Sequence, residues 1–288
     1  GIDFAVYAGL DDPILDVEVT PNRGDCLGVR GIARDLAATG LGTLKELKVP
    51  VISGTYKSPI TVSLAPSQAC SYFTGRFIRG LKNCESPQWL QKKLKSIGIR
   101  PISALVDITN FICFDRGRPM HIFDADKLKG NLTVRTAHTN ESLLALNDKN
   151  YALDESMTIV TDQQGPVAIG GIIGGLESGA QLTTQNAFLE CALFDPISIT
   201  MTGRKTGIIT DSRYRLERGV DPAIIDECIE QATQLIQDIC GGEPSEVVRA
   251  GALPNASRTI HFDFKRIATL GGLHLPESES RAILEKLG

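Results

Sequence analysis

Long hydrophobic runs are missing from this 288-residue chain. No stretch approaches the roughly 18 apolar residues of a membrane-spanning helix, and the opening GIDFAVYAGLDD has neither region of a secretory signal. Membrane and export classes are set aside, and a cytoplasmic location is expected. Histidine is scarce, at four, and no CxxC occurs among the seven cysteines (Cys26, Cys70, Cys84, Cys113, Cys191, Cys228, Cys240). An odd, scattered set suggests neither a disulfide framework nor a structural zinc site, so reduced buried thiols and no bound metal are expected. Nucleotide signatures are lacking too: the glycine cluster AIGGIIGGLESGA (168–180) has neither GxGxxG spacing nor a GK[ST] ending. No GxSxG elbow marks a serine hydrolase. A net charge of -4 argues against blanket phosphate binding as the main task.

The chain does contain 42% hydrophobic and 22% charged residues, ordinary for a folded globular protein with room for two or more cores. Leu15, Val17 and Val19 alternate with Asp16 and Glu18, the period of a half-buried strand. A helix is expected over residues 27–39, stopped by Gly40, and a Gly-, Pro-, Ser- and Lys-rich linker over 40–66. A second unit then runs from about 69 to 251. It opens with a strand over 72–79 and a helix entered through Ser86 as cap and Pro87 as first helical residue, with Trp89, Leu90, Leu94 and Ile97 on one face. Short strands follow near 132–137, 142–145, 157–161, 167–169 and 187–192. A long helix starts at Asp221-Pro222, with an apolar face from Ile225 to Ile239 and Gly241-Gly242 as its stop. A strand and helix in IHFDFKRIATLGG and a final helical stretch open a third unit. The class is α+β, with mixed or antiparallel sheets and packed helices, in a multi-domain fragment. Gly at position 1 and helical periodicity up to the last residue suggest a piece of something longer.

Chemistry is harder to read from single motifs. His121, within RGRPMHIFDADKL (116–128), is a packing residue, a metal ligand or part of a reactive site. The glycine cluster is a tight turn between strands, or a wall whose backbone N–H groups face a ligand. Lys92, Lys93, Lys95 and Arg100 form a solvated helix face or a phosphate contact. RKTGIITDSRYRLERGVD (204–221) is an exposed basic segment or a contact with nucleic acid.

Six motifs in order carry more than any one: PNRGDCLGVRGIARDLA (21–37), ALVDITNF (104–111), RGRPMHIFDADKL (116–128), IGGIIGG (169–175), FLECALFDP (188–196) and TDSRYRLERGVDP (210–222). Together they resemble the bacterial phenylalanyl-tRNA synthetase β subunit along essentially the whole chain. The resemblance implies the end of a first domain (1–54), a tRNA-editing domain (55–254) and the start of a small α/β module (255–288). It implies hydrolysis of tyrosine wrongly attached to the phenylalanine tRNA. An apolar pocket rejects an added hydroxyl by only about 10²-fold, whereas a site built to bond that hydroxyl discriminates by about 10⁴ to 10⁵.

By that likeness Glu190 accepts the phenolic hydroxyl, and His121 positions the ester and water or acts as base. Thr109, Asn110, Gly174, Gly175, Thr210 and Ser212 would line the substrate site, with Leu216 as packing where an aromatic residue is common. The implied partners are the phenylalanine tRNA, tyrosine as editing ligand and a synthetase α subunit in an α2β2 tetramer. ATP and magnesium serve the parent ligase and no cofactor serves this segment. Two other readings stand beside it: a non-catalytic tRNA-binding or assembly module, and a freestanding trans-editing hydrolase.

Overall fold

The computed structural model describes residues 1–8, 11, 13–66, 69–255 and 259–287. Its helices are Phe4–Ala8 (α1), Val29–Ala38 (α2), Gln88–Ser96 (α3), Ala104–Arg116 (α4), Pro196–Thr206 (α5), Asp211–Leu216 (α6), Ile225–Cys240 (α7), Lys265–Gly271 (α8) and Glu277–Leu287 (α9). The strands are Val62–Leu64 (β1), Cys70–Arg79 (β2), His121–Asp124 (β3), Leu132–Thr136 (β4), Ser142–Leu144 (β5), Asn150–Ala152 (β6), Thr158–Thr161 (β7), Pro166–Ile169 (β8), Ile173–Gly174 (β9), Ala187–Phe194 (β10), Glu243–Pro244 (β11) and Val248–Gly251 (β12). The class is α+β, as expected.

β10 explains the layering. Its sequence, AFLECALF, is almost continuously apolar because both of its faces are covered. Ala187, Leu189 and Cys191 meet Leu105, Ile108 and Ile112 of α4 and Ile225, Ile229 and Ile236 of α7 in one core. Phe188, Ala192 and Phe194 point the other way, into a second core with Val134, Ile159, Val160 and Ile169. The first sheet runs β11-β2-β10-β3, with β12 also on β2, and all of its pairs are antiparallel. The second runs β1-β4-β7-β8-β9, with β1 parallel to β4 and the others antiparallel. Helices, first sheet and second sheet thus stack as three layers, with β10 at the centre. Glu190 is the ionisable residue on its sheet-facing side.

Several expectations need correction. Residues 15–19 join no ladder, and Leu15 is 85% exposed; alternation alone makes no strand without a partner edge. Ser86 does not cap α3, because its hydroxyl bonds the buried Asp107 and Pro87 takes the cap position. The long helix begins at Ile225, since Asp221 uses its carboxylate on the Ala223 N–H (2.8 Å) and holds a turn there. Residues 260–262 form no strand ahead of α8. The expected linker is tied down in part: Ile52 donates to Glu230 (2.9 Å) and accepts from Arg76 (2.8 Å), which is itself paired with Glu230 at 2.8 Å in the interior. Breaking such a buried pair costs far more than losing a surface one.

Candidate active site

β3 and β10 lie side by side, antiparallel, with Glu190 directly opposite His121. Opposed residues project to the same face with β-carbons about 4.5–5.5 Å apart. The imidazole and the carboxyl therefore share the face that looks toward the second sheet. His121 stands edge-on to Phe123, two residues along the same face (4.4 Å between ring centres). Across the gap, β8, the turn after it and β9 supply the opposing wall. Helix α4 closes one side with Thr109 and Asn110, and α6 closes another with Thr210 and Ser212. The cavity measures about 230 Å³. Its floor residues, among them Ala192 and Phe194, are buried, while Leu146 at its mouth is exposed.

Two polar atoms in the cavity lack partners among the described residues: Oε2 of Glu190 and Nε2 of His121. Glu190 is only 5% exposed, and burial pushes its carboxyl up to about 8. Burial pushes the imidazole of His121 down to about 4. At neutral pH both groups are uncharged, a protonated acid able to donate and accept, beside a neutral imidazole. An unpaired buried polar atom costs about 1–3 kcal/mol, a cost that a suitable ligand atom removes.

The shifts have opposite consequences for stability. Glu190 contributes fully below its ordinary value of 4.5, and that contribution drains away as pH rises through about 8. His121 contributes above its ordinary 6.5, and its share is lost as pH falls through about 4. Between 4.5 and 6.5 the two slopes oppose each other; above 6.5 the slope from Glu190 stands alone. Urea unfolding should therefore show a loss of about 2 kcal/mol between pH 6.5 and 8. Glu190→Gln should flatten that slope, and an unchanged slope would show that Glu190 is already ionised.

The glycine turn is built by packing. Gly171 has φ +70°, and a Cβ there would also meet Ile199, Leu216 and Phe194 within 3 Å. The hydroxyls from α6 hold this turn in place. Thr210 donates to the Ile172 carbonyl (2.9 Å) while capping α6 through the Arg213 N–H, and Ser212 donates to the Gly171 carbonyl (2.8 Å). Gly174 lies against the imidazole, where a Cβ would fall 2.4 Å from His121 Cε1. The missing Cβ is thus what the site uses at this position.

Of the eight residues expected here, seven line one cavity: Thr109, Asn110, His121, Gly174, Glu190, Thr210 and Ser212. Gly175 does not. Its N–H is spent on the Val167 carbonyl (2.7 Å), and it borders a separate hollow with Ser142 and Ser178. Backbone alternation across β9 turns it away from the imidazole. Sequence reading missed Met120, Leu146 and Ile173 as lining residues. Leu146 carries no sequence signal, being an apolar residue on a hairpin turn whose N–H reaches the Gly174 carbonyl (3.0 Å).

The expected exposed basic segment is largely turned inward. Arg215 is buried, bonds the Leu27 carbonyl (3.0 Å) and stacks on Phe114, while Arg213 and Arg218 pair with Glu217. Among the described residues one grouping offers metal-ligand geometry, Asp25, Cys26 and Asp35. It fits a cation poorly, because Arg23 already binds both carboxylates (2.9 and 2.6 Å) and Arg34 binds Asp25.

The model of the B3/4 domain matches residues 69–241, the stretch that holds both cores and the cavity. The chain belongs to the B3/4 domain family. Outside the B3/4 region the likeness continues. The phenylalanine–tRNA ligase β subunit of Paramagnetospirillum magneticum is 53% identical over 281 residues, 96% of this chain and 35% of that protein. Those of Brucella abortus and Cereibacter sphaeroides are 48% and 49% identical over 291 residues, all of this chain and 36% of each relative. The chain thus spans about a third of the length of these curated relatives. A crystal structure of an N-terminal fragment of the phenylalanyl-tRNA synthetase β subunit from Pyrococcus horikoshii matches 93% of this chain and 74% of that one, at 18% identity and a TM-score of 0.44. A likeness that loose carries no weight for the site.

Proposed function

We propose that the cavity is a proofreading site that hydrolyses tyrosyl esters of the phenylalanine tRNA, within a phenylalanine–tRNA ligase β subunit. The carrying observation is the pairing of Glu190 with His121 in one cavity, each with a buried polar atom that lacks a partner. A tyrosine ring entering the floor would bring its hydroxyl to the Glu190 carboxyl, which can both donate to it and accept from it. Phenylalanine leaves that carboxyl unmet. The ester then lies toward the mouth, beside His121. Water adds to the ester carbonyl carbon, the bond to the ribose oxygen breaks, and the proton lost by water passes to that oxygen. Neutral His121 is suited to orienting the water and the ribose hydroxyls, with Gly174 leaving room for its ring.

On this reading residues 55–254 are the editing domain, between the end of a preceding domain (1–54) and the start of a following module (255–288). The α subunit, an α2β2 assembly, ATP and magnesium belong to the ligation reaction of the complete cytoplasmic enzyme. No helix among the described residues is long and apolar enough to cross a membrane.

The test is loss of the ester bond when the chain is incubated with tyrosyl- and phenylalanyl-tRNA. Tyrosyl ester should disappear faster. Tight tRNA binding with both esters intact would favour a non-catalytic module instead. His121→Ala should slow deacylation about 10-fold with its melting temperature held within about 3 °C. A large drop in melting temperature with normal deacylation would make His121 a packing residue.

A further inference from the structure

Residues 86–106 contain four basic side chains, Lys92, Lys93, Lys95 and Arg100, and no acidic one, in a chain whose net charge is -4. Helix α3, at the start of this stretch, also carries the single tryptophan of the chain, Trp89. Trp89 is 44% exposed, although an indole is among the most favourable side chains to bury. Lys92 and Lys93, three and four residues on, lie on its face of the helix. Its ring stands edge-on to Phe111 of α4 (5.7 Å between centres). Phe111 follows Asn110, which lines the cavity. The exposed indole thus sits beside the helix that forms one wall of the cavity. Exposed Ile97 and Ile102 extend the apolar surface.

We infer that this α3 face receives the single-stranded 3′ end of the tRNA, with Trp89 stacking on a base and the lysines meeting phosphates. The inference rests on the tRNA-ester reading given above. Charge selects the partner. Lys92 lies 3.7 Å from Asp11 and Lys93 lies close enough to Asp115 to act on its carboxyl, while Lys95 and Arg100 bring the cations of the stretch to four against these two carboxylates. An aromatic ring among cations suits unpaired nucleotides, because every base offers a face for stacking and every linkage a negative charge. A duplex offers the charge alone.

Trp89 reports on itself, being the sole indole. The full 288-residue chain is titrated with unacylated phenylalanine tRNA, and with the same tRNA trimmed of its single-stranded 3′ tail, while tryptophan emission is followed. Intact tRNA should quench emission, and trimmed tRNA should quench it far less. Trp89→Ala should weaken binding of intact tRNA about 5- to 50-fold, and Trp89→Phe by about 3-fold or less. Lys93→Ala should lower the salt dependence of binding by about one phosphate contact. On tyrosyl-tRNA, Trp89→Ala should raise KM while kcat holds.

Binding of intact tRNA without quenching, equal quenching by both tRNAs, or no binding at all would each overturn the inference. So would a folded Trp89→Ala chain that binds as tightly as the parent. If that variant fails to fold, Trp89→Phe and Lys93→Ala decide. Failure to hydrolyse any ester would sink the proofreading reading instead, since the emission titration uses uncharged tRNA.

Discussion

Glu190→Ala is expected to erase the preference for tyrosyl over phenylalanyl ester, lowering the ratio of deacylation rates about 10- to 100-fold. The carboxyl is buried and its Oε2 has no partner among the described residues. A phenolic hydroxyl relieves that deficit and a phenyl ring does not, a difference of about 1–3 kcal/mol. Alanine removes both the bond and the penalty, so the two esters converge. Glu190→Gln should keep part of the preference, because an amide also donates and accepts. Single-turnover deacylation of both esters reads the ratio directly. Equal slowing on both esters would make Glu190 a scaffold residue.

Gly174→Ala is expected to reduce deacylation about 10²-fold and to destabilise the chain by about 1–3 kcal/mol. The backbone there lies outside the left-handed region, so alanine itself causes no backbone strain. The added methyl falls 2.4 Å from Cε1 and 2.7 Å from Nε2 of His121, which forces the imidazole into the cavity where the ligand would lie. The control is built in. In a His121→Ala background the same substitution should cost little stability, a coupling readable by a double-mutant cycle in urea melts. Additive losses would mean that the glycine is needed for some reason other than the ring.

How much of this could be read from the sequence depended on whether one face or two were buried. α7 stood out because its apolar residues lie on one side, with polar residues on the other. α4 did not, since it is packed on several sides and its β-branched and aromatic residues break the usual contrast. The short strands β4 and β7 were legible from their runs of β-branched residues. β3 was hidden, because four residues around a histidine carry too little pattern. The alternation at 15–19 was real in the sequence but found no edge to pair with.

The site followed similar lines. Single motifs left His121 open among three readings, and only the ordered set of six pointed to a partnership with Glu190. That the two are register partners, 69 residues apart in the chain, follows from strand pairing that no local pattern encodes. The glycine cluster that holds Gly171 and Gly174 reads as a tight turn or a wall facing a ligand. Gly171 does use its backbone freedom, while Gly174 matters for the space left to a neighbouring ring. Thr210 and Ser212 were expected as lining, and they line the cavity, but their hydroxyl protons are committed to the turn.

Because Glu190 and His121 face each other across one rung of a ladder, their separation can change only in steps. Sliding β3 by one residue would send the imidazole to the helix side and bring Ile122 round in its place. Intermediate spacings are not available to the pair. Insertions in the long excursion between the two strands would therefore leave the couple intact, and divergent copies of this chain should keep both groups at working distance or lose the arrangement outright.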